Sequence, residues 1–240
     1  MWTNAERVMK RLLMACAVAL VCNGARAQGI AVQEVRGDVQ VRHGVTEHWI
    51  TVAAGDVLKP DDSMRTGLDG HAEILADRDG VPRRIALPSE VIVDMADIRD
   101  LTPEELMLKL TMERVRSSPY KSRDDVPAPN AGVVHGGDKA SGPPLPENDP
   151  AQGTMQWNGA QVLFNNGFYS TCALKGMELY RLYPETAGKY NYRLMVAESL
   201  NRAKLRGEAL AEYHATLGLP GLTPAQKAKV QQAMEALQQR

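Results

Sequence analysis

A pair of aspartates, a pair of histidines and a lone cysteine are the candidate ligands and nucleophiles of this 240-residue chain. Asp77 and Asp79, followed by Gly80, could turn alternate carboxylates onto one hard cation as the opening of a calcium loop does, but the further ligands and the closing glutamate do not follow. The same residues make a good hairpin turn, which is the reading adopted. His43 and His48 flank a turn and could meet across a hairpin, yet no cysteine or third histidine lies near in sequence to complete a zinc site. Cys172 has no adjacent histidine to activate it, and beside Ala173 it reads as a small buried hydrophobe on an apolar helix face. There is no G-x-S-x-G elbow, no H-E-x-x-H helix and no phosphate loop. The expectation is therefore a non-enzymatic protein without cofactor or metal. A carboxylate pair assembled across strands, of the kind a cell-wall hydrolase needs, is the enzymatic alternative that remains.

The ends of the chain speak to where it works. Arg7, Lys10 and Arg11 precede an apolar run over residues 12–21, and Ala25-Arg26-Ala27 precedes Gln28, which is the order of a secretory signal and its cleavage site. Cleavage is expected between Ala27 and Gln28, placing the mature protein in the periplasm or outside the cell. The run is about half the roughly 20 residues needed to span a bilayer, and no later segment is long enough. Val21 before Cys22 does not suit lipidation. Residues 28–118 hold 11 basic and 17 acidic side chains, and residues 155–240 hold 10 and 6. That balance argues against nucleic acid as a partner, because such binders concentrate basic charge on one face. The mildly basic C-terminal part could attract an acidic peptide.

Between residues 30 and 95 apolar residues alternate in short runs, as in Val39-Gln40-Val41, Ala72-Glu73-Ile74 and Ile85-Ala86-Leu87, punctuated by Gly37, Gly44, Gly55, Gly67, Gly70 and Gly80. Short, evenly spaced strands predict a small all-β sandwich or barrel. Trp49, the one aromatic residue of this half, is expected to plug its core. Residues 31–95 resemble the FecR domain, through Gly37, Trp49, Gly55-Asp56, Asp62, Arg65-Thr66-Gly67, Asp69-Gly70, Asp79-Gly80 and Leu87-Pro88. FecR relays an iron-siderophore signal to a sigma factor through a membrane helix. Here only a signal peptide precedes the β module, so the resemblance implies the fold and an extracytoplasmic setting.

Thr102-Pro103-Glu104-Glu105 is a capping box that opens a helix to about Arg116, with Leu106 and Leu110 on its buried side, expected to dock on the β module. Residues 117–154 carry seven of the fourteen prolines and five glycines, and predict a disordered linker that lets its two flanking modules reorient. Beyond it, Trp157, Ala160, Gln161, Phe164, Ala173, Met177 and Pro184 recur 36 residues later as Arg193, Val196, Ala197, Leu200, Ala209, Tyr213 and Pro220. This all-α region, residues 155–240, resembles the tetratricopeptide repeat, whose usual pitch is about 34. Thr223-Pro224-Ala225-Gln226 opens a final capping helix with Val230, Met234 and Leu237 inward.

The resemblance implies a concave groove lined by the first helix of each repeat. The polar residues facing it would be Asn158, Asn165 and Asn166 from the first copy, and Asn191, Glu198, Asn201 and Arg202 from the second. Asparagine amides can bracket a peptide backbone with one donor and one acceptor, and arginine can hold a carboxylate. The resulting expectation is an adaptor or scaffold of the bacterial envelope that binds protein partners. An extracytoplasmic sensor of a small ligand or glycan is the alternative.

Overall fold

The structure, a computed structural model, describes residues 29–46, 48–78, 80–117 and 149–239. The expected signal segment with its Ala27–Gln28 cleavage site, and most of the expected linker, lie outside them.

The β-branched alternation read from residues 30–95 becomes eight strands: β1 (Ile30–Arg36), β2 (Val39–His43), β3 (Ile50–Thr51), β4 (Val57–Leu58), β5 (Asp62–Thr66), β6 (His71–Arg78), β7 (Val81–Leu87) and β8 (Ile92–Asp94). They pair antiparallel in two four-stranded sheets, ordered β4-β1-β6-β7 and β3-β2-β5-β8. Because side chains alternate across a strand, every second residue can face one core. Val32, Ala72, Ile74, Ile85 and Leu87 from the first sheet and Val39, Val41, Met64 and Val93 from the second are buried in it. Gly37 turns β1 into β2 at φ +63, and a Cβ there would lie 2.2 Å from the Asp69 carbonyl oxygen, so the position requires glycine twice over. At the β6–β7 hairpin Asp77 accepts a hydrogen bond from the Gly80 amide at 2.8 Å, the turn expected from the sequence.

Trp49 does not plug this core. Its ring lies half-buried on the second sheet under the guanidinium groups of Arg42 and Arg65, 5.1 and 4.6 Å from its centroid. An indole with two cations against its ring on a sheet surface gains from the ring's negative charge what burial would otherwise supply.

Six helices follow: α1 (Pro103–Ser117), α2 (Pro150–Asn165), α3 (Tyr169–Leu182), α4 (Tyr190–Arg202), α5 (Arg206–Leu217) and α6 (Pro224–Gln238). Their ends follow capping chemistry. Thr102 accepts from the Glu105 amide, and Thr223 with Gln226 forms a complete reciprocal box. Helix α2 starts five residues earlier than the linker boundary drawn from composition, because Asp149 accepts from the Ala151 amide and Pro150 occupies the first helical position. Consecutive helices α2 to α6 pack in order. Trp157 ties α2 to both α3 and α4, its ring tilted against Tyr180 at 5.5 Å and stacked on Tyr192 at 4.2 Å with an interplanar angle of 2°. Cys172 is fully buried against the Ser199 hydroxyl, and burial pushes its thiol up to about 12.

The expected docking of α1 on the β module is not what forms. Leu106 and Leu110 turn toward the helical half, where α1 packs on α3, and Glu113 pairs with Arg181. Nor do the two halves stand apart. Arg78, at the end of β6, binds Asp100 through two nitrogens at 2.5 and 3.0 Å. The same guanidinium donates to the carbonyls of Asn166 and Gly167, at 3.1 and 3.2 Å, and stacks on Phe168. The last carbonyls of a helix lack partners within it, so an arginine from the sheet that satisfies them ties the two halves together. Thr171 on α3 adds a contact to the Arg99 carbonyl, and the buried residues of both halves form one continuous core.

Candidate functional site

The seven polar residues expected to line one groove are dispersed. Asn158, half-buried on α2, donates its amide to the Glu90 carbonyl at 2.8 Å, just ahead of β8. One residue on, a Cβ at Gly159 would lie 1.9 Å from the Ile92 carbonyl oxygen, so α2 lies directly on the backbone of edge strand β8. The asparagine does bind a peptide backbone, through one donated hydrogen bond, and that backbone belongs to its own chain. Asn165 accepts from Gln161 at 3.0 Å. Asn166 closes α2, its amide donating to the Val162 carbonyl. Asn191 is exposed at the start of α4, in an open recess of about 380 Å³ with Tyr190, Tyr192 and Gln226. Glu198 pairs with Lys229 of α6 at 3.6 Å. Asn201 lies near the Tyr213 hydroxyl and favours its charged form, and Arg202 donates to the Tyr169 hydroxyl at 2.5 Å while stacking over Tyr169 and Phe164.

Two other places concentrate charge. The first is the junction of the halves. Lys175, nearly buried on α3, bonds Asp94 at the end of β8 at 2.7 Å and Glu178 at 3.2 Å, and Asp94 also accepts from Ser63 at 2.5 Å. Burial by itself would raise Asp94 and lower Lys175. The pairing outweighs both, holding Asp94 below the usual carboxylate range and Lys175 above the usual amine range. Asp97, in the short 3₁₀ turn after β8, is different. Burial pushes its carboxyl from 3.8 up to about 7, against the opposing pull of Lys175 and with the like charge of Asp94 adding to the rise. The ammonium bonds two of the three carboxylates directly, and Asp97, which it reaches only through space, is the one whose proton is held more tightly.

The second is a groove of about 780 Å³ between α1, α3, α4 and α5. Leu110, Met177, Tyr180 and Ala211 give it apolar surface. The charged residues along it are paired within the chain: Glu113 with Arg181, Arg193 with Glu212 at 2.9 Å, and Arg114 with Glu208 at 3.8 Å. Arg193 also lies 4.9 Å from the centroid of the Tyr180 ring. Burial raises the Glu212 carboxyl and the Tyr180 hydroxyl, the latter with the Glu212 charge adding to it. The Tyr180 hydroxyl is buried and has no hydrogen-bond partner among the described residues. A buried hydroxyl left in that state costs free energy, which an incoming carbonyl would recover once the groove wall shifts to expose the oxygen. Apolar surface, neutralised charges and one hydroxyl in want of an acceptor suit a short, uncharged stretch of peptide.

No family model, no curated protein and no solved structure matches this chain. Among the described residues no group of three or more potential ligands is placed to hold a metal ion, and no helix is long and apolar enough to cross a membrane. Sequence reasoning missed both charged places. The only local signals were Lys175 with Glu178 at helical spacing and Asp94 with Asp97 around one turn. Their meeting depends on how α3 lies against β8.

Proposed function

We propose that this protein is an exported, non-enzymatic adaptor of the bacterial envelope that holds a partner protein through the groove between α1 and helices α3 to α5. The reading keeps the FecR-like and tetratricopeptide-like resemblances as the origin of its two parts, with the six helices after the sheets and their sequential packing in support. The observation that carries it is the Tyr180 hydroxyl, buried and without a hydrogen-bond partner among the described residues, beside apolar groove surface whose flanking charges are already paired. The partner segment is short and uncharged, and offers a backbone carbonyl to Tyr180. An acidic peptide is the poorer fit, because the arginines near this groove already have carboxylates.

The test is site-specific photocrosslinking in the protein's own cells. A photoreactive residue at Ala211, exposed on α5 inside the groove, should give one discrete protein adduct, whereas the same residue at Gln232 on the exposed side of α6 should give none. Tyr180→Phe should reduce the Ala211 adduct. Equal labelling at both positions, or no adduct at Ala211, contradicts the assignment.

A further inference from the structure

Helix α1 has a second face. Opposite its buried residues Leu106, Leu110 and Glu113, the side chains of Leu108, Met112 and Val115 stand 63, 47 and 70% exposed. These three sit at i, i+4 and i+7, so they form one stripe along the outward side rather than scattered apolar residues. The row spaced by four reads Glu104, Leu108, Met112, Arg116, acidic at one end, apolar at the centre and basic at the other. Rows of this spacing are the ridges that pack against another helix.

The row is its own complement when reversed. Turned end for end, it sets Glu104 opposite Arg116 and Leu108 opposite Met112, which is the self-complementarity an isologous two-fold contact needs. A parallel pairing would instead set Glu104 against Glu104 and Arg116 against Arg116. We propose that α1 is a homodimerisation surface, on which a second copy of this chain packs its own α1 antiparallel, with Leu108 and Met112 at the centre and a Glu104–Arg116 pair at each end. Arg116, its own side chain 60% exposed, stands 3.5 Å from the buried Glu113, which Arg181 also binds, so the guanidinium keeps a solvent-facing side that can be shared with an incoming carboxylate. Two helices of this length bury less than a standard interface of about 1,600 Å², so the association is weak, with a Kd on the order of 10 μM. The surface is distinct from the partner groove, which lies on the flank of α1 that carries Arg114 and Ser117.

Sedimentation equilibrium of the full chain, over about 5 to 500 μM, tests this. The wild type should show a reversible monomer–dimer equilibrium that weakens at high salt, since the end pairs are solvent-screened. Leu108→Glu and, independently, Met112→Lys should raise Kd at least about tenfold, a loss of about 1.4 kcal/mol, without altering the melting temperature. Glu104→Arg alone should weaken the dimer, and Glu104→Arg with Arg116→Glu should restore it to within about threefold of wild type. A monomer throughout the range, or a dimer indifferent to Leu108→Glu with the fold intact, would overturn the proposal. Failure of the double reversal to restore what the single one lost would overturn the antiparallel register.

Discussion

The helical half presents two very different surfaces. On the α2 side a polar stripe looks ready for a ligand but is closed at its start, where β8 lies against it: Asn158 is spent on Glu90 and Gly159 admits the Ile92 carbonyl, while Asn165 stays exposed and bonds Gln161. On the side of α1, α3, α4 and α5 a groove remains, flanked by charges that satisfy one another. A polar helix face is therefore informative about binding only after the tertiary partners of that face are known. Asparagine amides and a close-approach glycine are what a helix needs to receive a foreign peptide, and equally what it needs to receive a strand of its own chain.

The closed surface can be broken most severely at Gly159. Alanine there would gain roughly 1 kcal/mol in helix propensity, but its methyl meets a backbone carbonyl that cannot swing away. The larger Gly159→Val should lower the unfolding free energy by about 3 kcal/mol or more in urea titration, with alanine intermediate. A Gly159→Val protein as stable as wild type would mean that α2 does not lie on β8.

Lys175→Met should come next. It removes the cation and leaves Asp94, Asp97 and Glu178 facing one another. Breaking a fully buried pair costs about 3–5 kcal/mol, but Asp94 and Glu178 keep 31 and 36% of their side-chain surface in water, so a loss of about 2 kcal/mol at pH 7 is expected.

A subtler effect belongs to Asp97, whose carboxyl holds its proton more tightly folded, near 7, than unfolded, near 3.8. Across that window the folded state binds more protons. Its stability therefore falls as pH rises from about 4 to 7 and levels off above. Asp97→Asn, neutral at every pH, should remove that slope and be more stable than wild type at pH 8. Chemical denaturation of both proteins at pH 4.5, 6 and 8 would show the gap widening upward; a gap that is constant with pH would refute the buried-acid account.

Smallest and most discriminating is the pair Asn158→Ala and Ala211→Arg. The first loses one hydrogen bond across the junction, about 1 kcal/mol of stability, and should leave groove crosslinking unchanged. The second should change stability by less than about 0.5 kcal/mol, because Ala211 is exposed, and should abolish capture of the partner. The reverse pattern would return the binding site to the α2 side.

Local chemistry was legible in the sequence wherever its cause was local. Thr102 and Thr223 announced their helices, Asp77 and Gly80 their turn, and the alternation Val39-Gln40-Val41 its strand. The start of α2 was hidden, because the Asp149-Pro150 cap sits in a proline-rich stretch where proline ordinarily signals the absence of structure. Trp49 misled for a related reason. Burial is the default for an indole, and only the register of β2 with β5, which brings Arg42 and Arg65 to the same ring, gives it a surface alternative. The candidate site was least legible of all. Asn158 and Glu90 are 68 residues apart and Lys175 and Asp94 are 81 apart, and no periodicity within a helix reports a contact across that distance.

The two halves form one body, held by Arg78, Asn158, Gly159 and Lys175 and by α1 packed on α3, and the chain between α1 and α2 offers a direct test. A specific protease site placed within residues 118–148 and cut to completion severs the covalent connection between α1 and α2. If the junction is as described, the two fragments should elute from gel filtration together at the position of the uncut protein, and should separate in urea with a single midpoint reported alike by Trp49 and Trp157. Fragments that elute apart under native conditions, each with its own fold, would contradict it.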